Sequence, residues 1–389
     1  MADKKIVSLR KIRNTKMLKK IFKYAKIPVV ALAVIAALFL SVRLMGNVAV
    51  SNITDGIRQA KTVFSKSEGY PYSLEAFNLR KVEPIGGGPM IVYNDSSLVL
   101  NASGDEIFRS QLSYADAKVI TKNGRALVYG HSSNEAILQS KTEKLGSISA
   151  DSSIIAADLA KNGTMAVTCS SEEHQSILSV YNNRFKKIFQ WNCSKERIAD
   201  IALSGNGKRV VVAAVGADNA EIYTRIVVFN IRSSEPIADV KYSGTLFMKV
   251  VYTADNKIIA VGDNRTAVMN KKGEAIDELV YSEDSILAVC ADDSGNTVVC
   301  YEEFGGAKTG IVRFSKSGKR TCTISVEGTP DCVSAQGERT AVAIGNEITV
   351  YSARGKATKK IETEATPKQI FFCSGTVYTV EGGAIYKYS

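Results

Sequence analysis

Two histidines, seven cysteines and a few adjacent carboxylates are the residues of this 389-residue chain that could carry chemistry. His131 and His174 stand outside any His-x-His or His-x-x-x-His spacing, so neither is half of a metal pair. Cys169, Cys193, Cys290, Cys300, Cys322, Cys332 and Cys373 include no Cys-x-x-Cys, the spacing that zinc and haem attachment use. Most lie in apolar runs, where cysteine packs as a small hydrophobe. The odd count leaves at least one unpaired, and free thiols are expected throughout. Cys290 and Cys300 fall on neighbouring strands, about three positions out of register and too far apart to bridge. Glu172-Glu173 and Glu302-Glu303 are loop pairs. A glycosidase needs its two carboxyls roughly 5–10 Å apart, and sequence does not bring these together. No Gly-x-Ser-x-Gly, Walker loop or dinucleotide fingerprint occurs. No catalytic, cofactor-binding or metal-binding residue is assigned, and no cofactor is expected.

The elements that would position such residues are easier to read. LSGNGKRVVVAA (203–214) is a turn followed by an apolar, β-rich run, and it recurs. Marking each copy by its turn residue gives Gly87, Gly124, Gly163, Gly207, Asn256, Gly295, Gly337 and Gly375, spaced by 37, 39, 44, 49, 39, 42 and 38. A period near 40 filled only with short strand-like runs is the signature of a β-propeller. Each unit holds four runs, as in RIADIAL, KRVVVAAV, TRIVVFNI and PIADVKY, with a polar loop between the second and third. The fold class is therefore all-β, with eight blades expected and seven the alternative. The last unit ends at AIYKYS after three strands, so YSLEAFN (72–78) is expected to supply the fourth and close the ring.

The turn in SGNGKRVVV and its echoes resembles the blade turn of WD40-like, TolB-type and quinoprotein-type propellers. Asp293, Gly295 and Thr297 resemble the Asp-box turn of sialidase-type propellers, where that turn is structural. There is no Trp-Asp pair, and Trp191 is the single tryptophan, so neither WD40 partner binding nor quinone binding is implied.

The net charge of +11 is local. Residues 1–26 hold ten Lys/Arg and one acid, which leaves 40 basic and 38 acidic residues in 27–389. A near-neutral main domain argues against nucleic acid as partner. The uncharged run IPVVALAVIAALFLSV (27–42), extended to 46, is long enough to cross a bilayer of roughly 30 Å. Basic residues before it predict the N-terminus inside. The expected organisation is a cytoplasmic tail (1–26), a transmembrane signal anchor (27–46), a stem (47–71) with Ile53, Ile57, Ala60 and Phe64 at helical spacing, and a propeller (72–389). A cleaved signal peptide is the alternative to the anchor, although Asn47-Val48-Ala49 is a poor cleavage site. This layout resembles single-pass, membrane-anchored propeller proteins of clostridial Gram-positive bacteria. Asn-x-Ser/Thr at Asn52, Asn101, Asn162, Asn192 and Asn264 reads as chance occurrence.

The function expected from these features is an extracytoplasmic, membrane-tethered binding or scaffold module with an envelope-protein partner. The alternatives are an enzyme acting on extracellular glycan or peptidoglycan at the propeller axis, and a ligand sensor. Two carboxylates converging at one mouth of the channel would favour the enzyme.

Overall fold

The computed structural model describes Asp55 and residues 69–75, 77–114 and 116–388. The basic tail, the apolar stretch 27–46 and, apart from Asp55, the expected stem helix lie outside the described residues. Among the described residues, no helix is long and apolar enough to cross a membrane.

The strands form eight four-stranded antiparallel sheets, each a blade. Seven blades are consecutive in sequence, at 79–111, 117–149, 154–193, 197–243, 247–280, 286–327 and 332–362. Blade 8 is made from both ends of the chain. Residues 369–388 give three strands, and Tyr72–Ser73 pairs with the last of them, with Tyr72 opposite Ile385. The expected closure is present, with a shorter closing strand than 72–78. Leu74 N still donates to Gly383 O at 2.8 Å before the chain leaves the edge.

First strands of successive blades lie against one another, as Ile154–Leu159, Arg197–Leu203 and Phe247–Tyr252 do, so the first strand is the inner one. Middle strands are packed on both faces. Gly88–Tyr93, Arg125–Gly130 and Ser176–Tyr181 are buried at every position, which explains their nearly continuous apolar sequence. The fourth strands, such as Arg320–Glu327, are the outermost and mix half-buried with exposed positions. The core consists of apolar layers between blades. One layer joins Leu178 and Val180 of blade 3 to Ile198, Val212 and Phe229 of blade 4.

All eight marker residues lie between the first and second strands of their blades and adopt positive φ, from 56° at Asn256 to 101° at Gly87. At Gly207 a Cβ would also come within 2.4 Å of Thr164 Oγ1, so glycine is required there twice over.

Two local expectations are corrected. The polar stretch in blade 4 is not a loop, because Arg209–Asp218 and Glu221–Asn230 pair along their full length around the two-residue turn Asn219-Ala220. Gly216 leaves room for the Tyr223 ring, and Lys241 pairs with Asp218 at 3.1 Å, so polar side chains support the extension from outside. Cys290 faces Val298 and Cys300 faces Ala288, an offset of two positions and not three. All seven thiols are free.

Candidate functional site at the axial channel

The inner strands of blades 3, 4 and 5 put charge on the channel wall. Ile154–Leu159 carries Asp158, Arg197–Leu203 carries Asp200, and Phe247–Tyr252 carries Lys249. Bulges after Ile198 and after Phe247 re-aim the residues that follow. Lys249 Nζ lies 3.1 Å from Asp200 Oδ2. Although deep in the ring, the Lys249 side chain is 52% accessible, which the lumen provides. Burial pushes its ammonium down, but the attraction of Asp200 and Asp158 outweighs it, and the net shift is upward. Burial raises the carboxyl of Asp158, against the pull of Lys122.

Each carboxylate also ties its blade to the next. Asp158 Oδ2 accepts from Leu203 N of blade 4 at 2.6 Å, and Asp200 Oδ2 accepts from Val250 N of blade 5 at 2.9 Å. Gln369 does the same where the ring closes, accepting from Val82 N at 3.2 Å. These side chains satisfy backbone donors of the next blade's first strand, which is the inner edge of its sheet and has a strand neighbour on one side only. The axis thus does hold two neighbouring carboxylates, and both have structural tasks.

At the end of the channel bounded by the first-to-second-strand turns, a cavity of about 240 Å³ is lined by Lys122, Lys161, Asn206, Tyr252, Asn256 and Asp293, among others. Asp293 Oδ2 accepts from Asn123 N at 3.2 Å, a contact from blade 6 across the mouth to blade 2. The Tyr252 hydroxyl is buried and has no hydrogen-bond partner among the described residues. Such a cavity can hold a small polar solute.

Of the acids, histidines and cysteines singled out in sequence, Asp293 lines this cavity and the others do not gather here. His131 follows the second strand of blade 2, while His174 makes hydrogen bonds to Ser194 and Asn192 at 3.1 and 3.0 Å. Glu172-Glu173 and Glu303 lie in connections on the opposite face of the ring. In the Asp-box-like turn the capping acid is Asp292, whose Oδ1 accepts from Ser294 N and Asn296 N, and not Asp293. Among the described residues, no group of three His, Cys, Asp or Glu could hold a metal ion. The acceptor amides of four Asn-x-Ser/Thr sites, Asn101, Asn162, Asn192 and Asn264, are already bonded within the fold. Asp158, Asp200 and Lys249 escaped the sequence reading. Their one signal is a charge inside an apolar inner strand, as in the Ala-Asp of IIAADLA and RIADIAL.

Eight four-stranded sheets closed around an axis by the two ends of one chain define a β-propeller. Residues 69–387 match a family described as of unknown function, DUF5711, and the chain belongs to that family. No curated protein matches it in sequence. Among solved structures it is similar to Sqt1 of Saccharomyces cerevisiae, with 8% identity, TM-score 0.59, and 83% of this chain and 99% of that one covered. It is also similar to the C-terminal WD40 domain of Sif2, with 11% identity, TM-score 0.57, and 82% and 98% covered. BamB from Moraxella catarrhalis has 11% identity, TM-score 0.51, and 82% and 100% covered. At these identities the likeness is one of fold.

Proposed function

We propose that this propeller is a protein-binding scaffold module, displayed outside the cell on a single membrane anchor at 27–46, with the tail 1–26 inside and residues 47–71 as stem. The observation that carries the binding reading is a set of exposed apolar side chains on one face. Phe304 is fully exposed at a Gly305-Gly306 turn, and Ile222 and Met248 are about half exposed on neighbouring blades. Isolated exposed hydrophobes are ordinary, but several together on one face of a closed ring suit a protein interface. Tethering adds to this by confining the ring near other envelope proteins. The layout resembling clostridial single-pass propeller proteins belongs to the same reading. The axial carboxylates support the enzyme reading less well, because both already bridge blades.

A protease-protection assay on intact cells with a C-terminal tag tests the topology, and digestion of the tag from outside is expected. A tag protected until the cells are lysed would refute the extracytoplasmic placement.

A further inference from the structure

The antiparallel order of every blade divides its connections between two faces. The chain reverses after the first and third strands on one face, the turn face, and after the second and fourth strands on the other, the loop face. The residues between strands on the turn face include thirteen Lys/Arg and eight Asp/Glu. Those on the loop face include two Lys/Arg, Lys195 and Lys368, and thirteen Asp/Glu. A domain that is almost neutral as a whole is therefore polarised from face to face. Most of the positive charge is in four third-to-fourth-strand turns: NNRFK (182–186), NKKGE (270–274), SKSGK (315–319) and SARGK (352–356). Their lysines and arginines are all exposed.

Two residues that precede the first blade, Asp55 and Tyr70, contact the propeller on the positive face. Asp55 accepts from Ser140 Oγ at 2.9 Å and from Thr142, at the third-to-fourth-strand turn of blade 2. Tyr70 Oη donates to Asn101 O at 3.1 Å, at the equivalent turn of blade 1.

We infer that the turn face lies against a bilayer surface that carries anionic lipid, with the acidic loop face turned outward. This rests on the anchor proposed above. Only eight residues, 47–54, separate position 46, the end of the proposed span, from Asp55. The nine Cα-to-Cα steps from 46 to 55 reach at most roughly 30 Å, so the tether holds the turn face near the headgroups. The charges act in the same direction, since anionic headgroups attract the lysine-rich turns and repel the loop face. Nucleic acid is the other polyanion such a face fits. The short tether to the turn face favours the membrane.

The test uses the full chain in lipid nanodiscs, either phosphatidylcholine alone or phosphatidylcholine and phosphatidylglycerol in two-to-one proportion. A dye is placed at residue 316 on the turn face or residue 304 on the loop face, and the discs carry a headgroup quencher. Quenching at 316 is expected to exceed that at 304 several-fold in the anionic discs. The excess should shrink in neutral discs, in salt near 0.5 M, where screening acts within about 4–5 Å, and in Lys271→Glu/Lys272→Glu. Equal quenching at the two sites, or stronger quenching at 304, overturns the inference. Failure of the anchor shows up separately, because the chain would then not incorporate into neutral discs at all. An oligonucleotide that binds at physiological salt and draws residue 316 away from the disc would assign the face to nucleic acid and overturn the membrane assignment.

Discussion

Asp55 and Arg125, seventy positions apart, form an ion pair from Oδ2 to Nη1 at 3.5 Å, with side chains only 1% and 2% exposed. Arg125 stands at the start of the second strand of blade 2. Burial pulls its guanidinium down, and Asp55 offsets only part of that. Removing one partner of a buried pair leaves an uncompensated charge. Asp55→Ala should therefore cost about 3–5 kcal/mol, and Asp55→Ala/Arg125→Met should recover most of it. Urea unfolding of both variants measures this. A chain that starts at residue 69 should show the same loss.

The eight positive-φ turns are not interchangeable. Asn256 adopts φ 56° as an ordinary residue, so Asn256→Gly should change stability by a few tenths of a kcal/mol at most. Gly207→Ala meets both the left-handed backbone and Thr164, and should cost roughly 2–3 kcal/mol. Thermal midpoints of the two variants, measured side by side, give the contrast.

The raised carboxyl of Asp158 fixes the sign of a pH effect. A carboxyl whose folded pKa lies above its unfolded value takes up a proton on folding. Its ionised form is thus a cost above the folded value, and the cost disappears as pH falls towards about 4. Asp158→Asn keeps an oxygen for Leu203 N and removes the charge. It should raise the melting temperature at pH 7 and have little effect near pH 4. An advantage of equal size at both pH values would rule out this account of Asp158.

Ring closure depends on two residues of pairing, Tyr72 with Ile385 and Ser73 with Ala384. The Tyr70 ring adds an edge contact to Tyr378 at 5.3 Å between centroids. Deleting residues 69–73 would expose the edge of Ala384–Tyr388, and exposed edges pair with other chains. Size-exclusion chromatography should show the deletion variant shifted towards larger species relative to the intact chain.

The architecture was legible because its markers are backbone requirements. Gly87, Gly124 and the others are small or Asn because the turn needs positive φ, so they recur whatever the surface does. The fourfold strand count per blade followed from apolar runs separated by turn residues. The axial residues were not legible, because Asp158 and Lys249 act across blades, and single-strand patterns carry no information about neighbours. The net charge of 27–389 misled in a similar way. Near neutrality hid a positive face and a negative one, which only strand order separates. The blade 4 ribbon was read as a loop because its polar residues lie beyond the core, where hydrogen bonds and not burial hold the strands.

Site-specific photocrosslinking in living cells tests the scaffold reading most directly, with a crosslinker at position 304 on the loop face and a control at 316 on the turn face. The account predicts that position 304 yields one reproducible protein adduct, identified by mass spectrometry, and that position 316 yields none. No protein adduct at 304, with the propeller folded and in place, would contradict it.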